Sequence, residues 1–454
     1  MDNRPGGKGG AIAKIGVAMS GGGHRAALFG AGALLYLVDS GKSGEITSIA
    51  SVSGGSLTNG FVAQSVDLSK ATPQDFESRI KPLIRCIAQQ GTVLPPSPFT
   101  LAYLVLLALL LLGSVVGVWF IPIPIGWRVA LFFAGLLLTG LVAGQRGRVT
   151  SRAFARRLFS PQGRPTRLEE ASTSVDHVIC AADLHTGENV YFSGRFVSSY
   201  RFGWGSPGDL PLHVAVQCSA ALPGAFPPNW LPTARHRFHG GLAEAKGAGR
   251  MVLVDGGVYD NQADQWVIGM DNRRRRFGSL ANFRDADELV SVNASGGLGW
   301  TAVSNLLRFP LLGEFLSLLR DKSILYDNGN SVRRELMIQR FERPAGTTPA
   351  LRGALVHIPR TPLHTARRYL NGPDPAAAAR AGDVIARLEP NEGYWKDLAA
   401  RAGGVKTSLT KLGTESAADV LEHAYVLAMA NLHVILGYPL LDLPSRARFE
   451  ALAS

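Results

Sequence analysis

Cysteine is nearly absent: Cys86, Cys180 and Cys218 are the only three in 454 residues. Three thiols without CxxC spacing build neither a disulfide framework nor a four-cysteine zinc site. The sequence therefore reads as a chain of a reducing compartment with no structural metal, its cysteines small buried hydrophobes. Charge is also scarce, at 18% against about 25% in ordinary soluble proteins. With 46% apolar residues, that composition excludes a largely disordered chain. Acids are the scarcer sign: 35 Asp and Glu against 47 Lys and Arg leave a net charge of +12. Such an excess points to a polyanionic partner, either nucleic acid or an anionic lipid surface. The opening MDNRPGGKGG lacks the apolar core of a signal peptide. No fixed-period repeat is visible, and the length suits about three domains' worth of chain or one large α/β domain with insertions.

The longest absence is positional. From Cys86 to Trp127 there is no Asp, Glu, Lys or Arg. Within that span LAYLVLLALLLLGSVVGVWF (Leu101 to Phe120) is long enough, as a helix of roughly 30 Å, to cross a bilayer core. IPIPIGWR makes a Pro-interrupted turn, and VALFFAGLLLTGLVA (Val129 to Ala143) returns as a shorter run of roughly 22 Å. That run reaches across only if Arg128 snorkels and the turn adds residues. Lys81 and Arg85 precede the pair, and Arg146, Arg148, Arg152, Arg156 and Arg157 follow it. The positive-inside rule then keeps both flanks cytoplasmic, giving a two-pass hairpin over about residues 99–145. The competing reading is a helical pair buried in a soluble core, or a greasy lid.

Around this insert the pattern is α/β. AKIGVAMS (Ala13 to Ser20) and EITSIASV (Glu45 to Val52) read as buried strands, each closed by a Gly-rich turn and followed by an apolar helix. That alternation argues for a parallel sheet. DHVICAADL and NVYFSG read as antiparallel strands around HTGE, and LPLHVAVQCSAAL (Leu210 to Leu222) as a helix ending at Pro223 and Gly224. RMVLVDGG, ELVSVNASGG and ALVHI read as further strands. Thr301 to Tyr326 and Ala417 to Leu436 show helical apolar spacing suited to core packing.

Two turns and one acid carry candidate chemistry. SVSGGS sets Ser53 between a strand and a helix, where a nucleophile elbow exposes its hydroxyl. Ser51 stands at the first Gly of G-x-S-x-G, and Gly55 keeps the last. Gly21, Gly22 and Gly23 at a helix start offer backbone N–H groups to an oxyanion or a phosphate. A dinucleotide fingerprint fails there, because Ala26 takes its third Gly and no acid follows a second strand at the required distance. SGKS (Ser40 to Ser43) fails as a P-loop because Tyr36 occupies its first Gly. Asp255 ends an apolar strand before two glycines. His357, His364, His423 and His433 follow it in hydrolase order, but none sits in a glycine-flanked loop. A dyad in which Asp255 itself takes the proton of Ser53 is the simpler arrangement.

Four segments, GGGHRA (Gly21 to Ala26), SVSGGS around Ser53, CSAALPGAFPP (Cys218 to Pro228) and VDGGVYDN (Val254 to Asn261), occur in the order found in patatin-like phospholipases. They resemble that family's G-G-G-x-R-G segment, G-x-S-x-G elbow, S-x-A-x-P-x-x-F-P block and D-G-[GA] motif. The resemblance covers roughly residues 12–300, with 301–454 a mostly helical extension. It implies a three-layer α/β/α sheet fold and metal-free acyl-ester hydrolysis of lipids by a Ser–Asp dyad. Ser53 is then the nucleophile, Asp255 the base, and Gly21, Gly22 and Gly23 the oxyanion hole. Arg25 matches the family's basic residue and, with Gly54, Pro223 and Phe226, is expected at the substrate site. Ala26 replaces the last Gly of the first motif and Ser51 the first Gly of the elbow; both are small enough to keep the geometry. No cofactor is expected. The expected partners are a membrane phospholipid as substrate and an anionic membrane surface, with no nucleic acid. A neutral-lipid esterase using the same dyad, or a scaffold that has lost catalysis, are the alternatives. His24 is expected as a plain loop histidine, and the run Arg273 to Arg276 as a solvated basic loop near the membrane.

Overall fold

The computed structural model describes residues 13–93, 98–242, 245, 247–296, 312–342 and 351–454. β1 (Ile15–Met19) and β2 (Ile46–Val52) are the two expected buried strands, parallel to each other. β3 (Asp176–Asp183) continues the parallel set on one side. β10 (Glu288–Asn293) and β11 (Arg352–His357) continue it on the other. From β3 the sheet turns antiparallel through β4 (Glu188–Phe192), β5 (Val197–Ser199), β6 (Gly203–Gly205) and β8 (His239–Gly240). β9 (Arg250–Asp255) pairs antiparallel with both β3 and β7 (Asn229–Pro232). Near-continuous apolar runs in β1 to β3 follow from burial on both faces, since helices cover the sheet. This mixed sheet flanked by helices is the three-layer α/β/α arrangement implied by the motifs.

α1 (Gly23–Asp39) is buried along nearly its whole length, as is the helix Thr414–Leu436. A helix apolar on all sides needs such a site, and these two pack on each other. Tyr36 meets Tyr425 edge-on at 5.7 Å, and the Tyr425 hydroxyl donates to Asp39 at 2.8 Å. Residues beyond 300 thus supply both the edge strand β11 and a central helix, so the end of the motif region is not the end of the sheet. Of Thr301 to Tyr326, residues 301–311 lie outside the described residues; the rest opens the helix Leu312–Phe341.

After α2 (Gly54–Ser65) and α3 (Pro73–Arg85), the apolar insert forms α4 (Pro98–Val115) and α5 (Ile125–Ala143). Two bounds differ from expectation. The first helix stops at Val115, and Gly117–Phe120 is a tight 3₁₀ turn. The second begins at Ile125, so the turn sequence itself lengthens it to 19 residues, about 28 Å. The helices pack side by side: the Tyr103 hydroxyl donates to Val142 O at 3.1 Å, and Gly135 leaves room for Ser114. No residue of α5 is buried, and in α4 only Thr100 and Ser114 are. A pair buried in a soluble core is therefore excluded. α6 (Arg146–Arg157) follows at once and docks beside α7 (Leu212–Ser219), where Ser151 Oγ lies 2.9 Å from His213 Nδ1.

Candidate active site

β3 assembles the site. Its edge toward β4 is paired from Ile179 to Asp183, so β2 and β9 share the opposite edge. β2 runs parallel to β3 and ends with Val52 opposite Cys180. β9 runs antiparallel and ends with Asp255 opposite Ala181. The two strands meet end to end, which brings the turn of Ser53 and the turn of Asp255 together. Ser53 takes φ 50° and ψ −118°, a left-handed conformation that costs a non-glycine residue strain, as at the sharp strand-to-helix turn of a nucleophile elbow.

Ser219, at the end of α7, clasps both turns. Ser53 N–H donates to Ser219 Oγ at 3.0 Å and to Ser219 O at 3.2 Å, while Gly256 N–H donates to the same Ser219 O at 3.2 Å. Asp255 N–H donates to Ala221 O at 3.0 Å. Ser219 Oγ itself donates to Cys180 O at 2.6 Å and lies 2.9 Å from Ser56 Oγ, which is 3.0 Å from Ser51 Oγ. Asn59 Nδ2 donates to Ser51 Oγ at 2.9 Å. Ser51 is thus more than a tolerated small residue: its hydroxyl belongs to a buried chain beneath the elbow. Sequence reasoning missed both Ser219, whose partners Ser53 and Cys180 lie far away in the chain, and Asn59, which reaches Ser51 only once α2 packs on β2.

The glycine segment packs directly on the elbow. A Cβ on Gly54 would fall 2.0 Å from Gly23 O, so only glycine permits this approach. Gly21 N–H is spent on Asn261 O at 3.0 Å and His24 N–H on Ser408 O at 2.9 Å. Of the three glycine amides expected as oxyanion donors, that of Gly21 is therefore already bonded. Gly22 and Gly23 have φ of 138° and 60°. Asn261 Oδ1 lies between the two halves: it is 2.3 Å from where a Gly21 Cβ would stand and 2.8 Å from a Gly257 Cβ. That Gly257 position is also 3.0 Å from Asp255 Oδ1 and 3.2 Å from the Tyr326 hydroxyl. Asp255 is 4% exposed, and its Oδ1 accepts from Gly257 N–H at 2.8 Å. Burial, and next the negative charge of Asp255, hold the Tyr326 phenol above its usual pKa.

Two expectations, on His24 and on the arginine run, are corrected, and Arg25 has partners the sequence did not suggest. His24 is no loop residue: it lies in the first turn of α1, fully buried, its ring nitrogens 2.7 Å from Thr410 O and 2.8 Å from Thr92 Oγ1. Burial lowers its pKa to about 4 and keeps it neutral. Arg25, expected at the substrate site, is buried and donates from Nη1 to Gly403 O and Val405 O at 3.2 and 2.8 Å, tying the glycine segment to the C-terminal region. The run Arg273 to Arg276 lies in the helix Met270–Phe277, with Arg273 buried over the Trp266 ring. Pro223 and Phe226 lie half-buried in the loop after α7, bridged to each other, beside exposed Leu222 and Trp230. Arg146 joins that loop to the foot of the hairpin, donating to Ala225 O at 2.7 Å.

The family profile described as Patatin-like phospholipase matches residues 17–263, more than half of the chain. The chain belongs to the patatin-like phospholipase family. Similar solved structures include human GIVD cytosolic phospholipase A2, 15% identical with a TM-score of 0.35, over 62% of this chain and 45% of that one. The same enzyme in complex with methyl gamma-linolenyl fluorophosphonate inhibitor and terbium chloride is 12% identical with a TM-score of 0.43, over 97% and 60%. VipD from Legionella pneumophila is 12% identical with a TM-score of 0.25, over 92% of both chains. The chain spans about half the length of the two cytosolic phospholipase A2 structures. No curated protein matches it.

Proposed function

We propose that the chain is a membrane-tethered serine acyl hydrolase that cleaves phospholipid acyl esters with a Ser53–Asp255 dyad. The observation that carries this reading is the end-to-end meeting of β2 and β9 on one edge of β3, with Ser53 strained at one tip and Asp255 at the other. Ser53 Oγ attacks the ester carbonyl while the Asp255 carboxylate takes its proton. The oxyanion that forms accepts from the Gly22 and Gly23 amides. Collapse expels the alcohol, which takes the proton from Asp255, and leaves an acyl group on Ser53. Water, deprotonated by Asp255, then releases the fatty acid and restores the serine.

Tethering rests on the exposed apolar surface of α4 and α5 and on the basic residues flanking both. Ser53 precedes the hairpin and Asp255 follows it, so both flanks lie on one side of the bilayer, and the arginines choose the cytoplasm. The foot of the hairpin adjoins the Leu222 to Trp230 loop, which gives an apolar route from lipid toward the elbow. A fluorophosphonate probe tests the reading: it should label Ser53 of the native protein and not Ser53→Ala. A folded native protein that takes no label is a scaffold. A labelled protein that cleaves triacylglycerol but not phospholipid is the neutral-lipid esterase.

A further inference from the structure

A cavity of about 570 Å³ opens between β4, β5 and the helices Gly257–Asp260 and Met270–Phe277. Neither Ser53, Asp255 nor Gly21 to Gly23 lines it. Three arginines do, Arg273, Arg275 and Arg276, against Glu188 as the one lining carboxylate, so the wall holds an excess of two positive charges. Arg273 is only 7% exposed, its guanidinium 4.1 Å over the Trp266 ring and 5.2 Å from the Tyr191 ring. Stacking fixes the plane of a guanidinium and leaves its in-plane donors to find acceptors at the edge. One does: Nη1 donates to Gln265 O at 3.1 Å. Nε and Nη2 are buried without a partner among the described residues, and so is Arg276 Nε. Ser198 Oγ, also in the wall, is buried and unpartnered as well. Buried guanidinium donors left unmade are costly, and here they cluster around one space.

We propose that this cavity binds a phosphate monoester dianion. Forked, charge-assisted donors match phosphate oxygens bidentately. Two net positive charges balance a dianion, where a carboxylate would need one arginine. The hydroxyls of Ser198, Tyr200 and Tyr259 in the same wall can serve the remaining oxygens. The monoester is either a soluble phosphorylated molecule or the headgroup of a lipid, and the two sources are separable.

The test uses the full chain in phosphatidylcholine nanodiscs. Glycerol 3-phosphate and inorganic phosphate are titrated calorimetrically, with succinate as the dicarboxylate control. In parallel, thermal unfolding is followed in nanodiscs containing phosphatidic acid, or phosphatidylserine as the anionic phosphodiester control. Saturable one-site binding of either soluble phosphate, weakened about tenfold or more by Arg273→Met and by Arg276→Gln, supports the proposal with a soluble source. Stabilisation by phosphatidic acid but not phosphatidylserine, lost in the same variants, supports it with a lipid source. Arg276 is half-buried, so its variant decides the matter if Arg273→Met does not fold. The proposal is overturned if no phosphate probe binds saturably and phosphatidic acid does not stabilise. Equal binding of succinate, equal stabilisation by phosphatidylserine, or indifference to Arg276→Gln overturns it as well.

Discussion

The shell beneath the elbow and the helical hairpin invert each other. In the shell, hydroxyls and amides are buried, and the chain Asn59–Ser51–Ser56–Ser219 ends on the Cys180 carbonyl. In the hairpin, Leu137 is 67% exposed and Phe120 81%, with hardly a buried residue around them. Buried polar atoms are costly unless they bond a partner there. An apolar surface of this extent marks an interaction site. The hairpin's own hydroxyls behave accordingly: Ser114 and Thr139 donate back to Leu110 O and Gly135 O within their helices. One region is organised to hold a strained turn still; the other leaves its apolar surface open while its own hydroxyls are satisfied within the helices.

The sharpest way to break this contrast is at the turns themselves. Ser53→Ala and Asp255→Asn should each reduce ester hydrolysis by about a thousandfold or more, and the double variant should be no worse than either single. Near-normal turnover by Asp255→Asn would falsify the dyad and require a histidine base. Next comes Gly23→Val, expected to cost about a hundredfold or more in kcat, because φ 60° and the Ser408 backbone 2.6 Å from a Cβ both forbid the side chain. A folded Gly23→Val protein with native kcat removes that amide from the oxyanion hole. Replacing Leu101 to Ala143 by a flexible linker probes the other half. Activity on a water-soluble ester should persist, while activity on bilayer lipid falls by about a hundredfold as effective concentration is lost. A soluble protein dead on the soluble ester would make the hairpin part of the catalytic body. Ser219→Ala should lower stability by about 1–3 kcal/mol, read from denaturant midpoints, by stranding its buried partners.

A last effect, on stability against pH and not on turnover, is spread over the whole body. Burial lowers the pKa of His24, His213, His357 and His423 to about 4 and that of His177 to about 3. The unfolded chain takes up protons on them below about pH 6.5, while the fold does not. Their contribution is intact above that pH and is lost as pH falls toward 4. Asp260, raised by burial and by Asp264, acts in the opposite direction, but it is outnumbered. Denaturant midpoints flat from pH 7 to 4 would contradict this.

What was legible in the sequence was local. Strands closed by glycine turns, the elbow turn of Ser53 and the strand ending in Asp255 can be read because neighbours in sequence create them. The clasp of Ser219, the wedge of Asn261 and the fates of His24 and Arg25 could not. Each depends on a partner remote in the chain, such as Cys180, Thr410 or Gly403. Arg273 misled for the opposite reason: four consecutive arginines suggest solvent, yet helical spacing turns one of them inward onto Trp266. The helix bounds of the hairpin shifted because a Pro-Ile-Gly turn that reads as a connector can also start a helix.

The junction on β3 also sets an order of events during synthesis. Ser53 leaves the ribosome early, but the strand that positions its turn, and later the strand bearing Asp255, are made only after residues 98–143 have emerged. Domains fold as their chain is completed, from the N-terminus onward. A nascent chain halted before β9 carries the serine without the acid. With the proposed dyad, hydrolytic competence is therefore deferred until residues 98–143 have emerged, and a truncated product without Asp255 should not cut an ester.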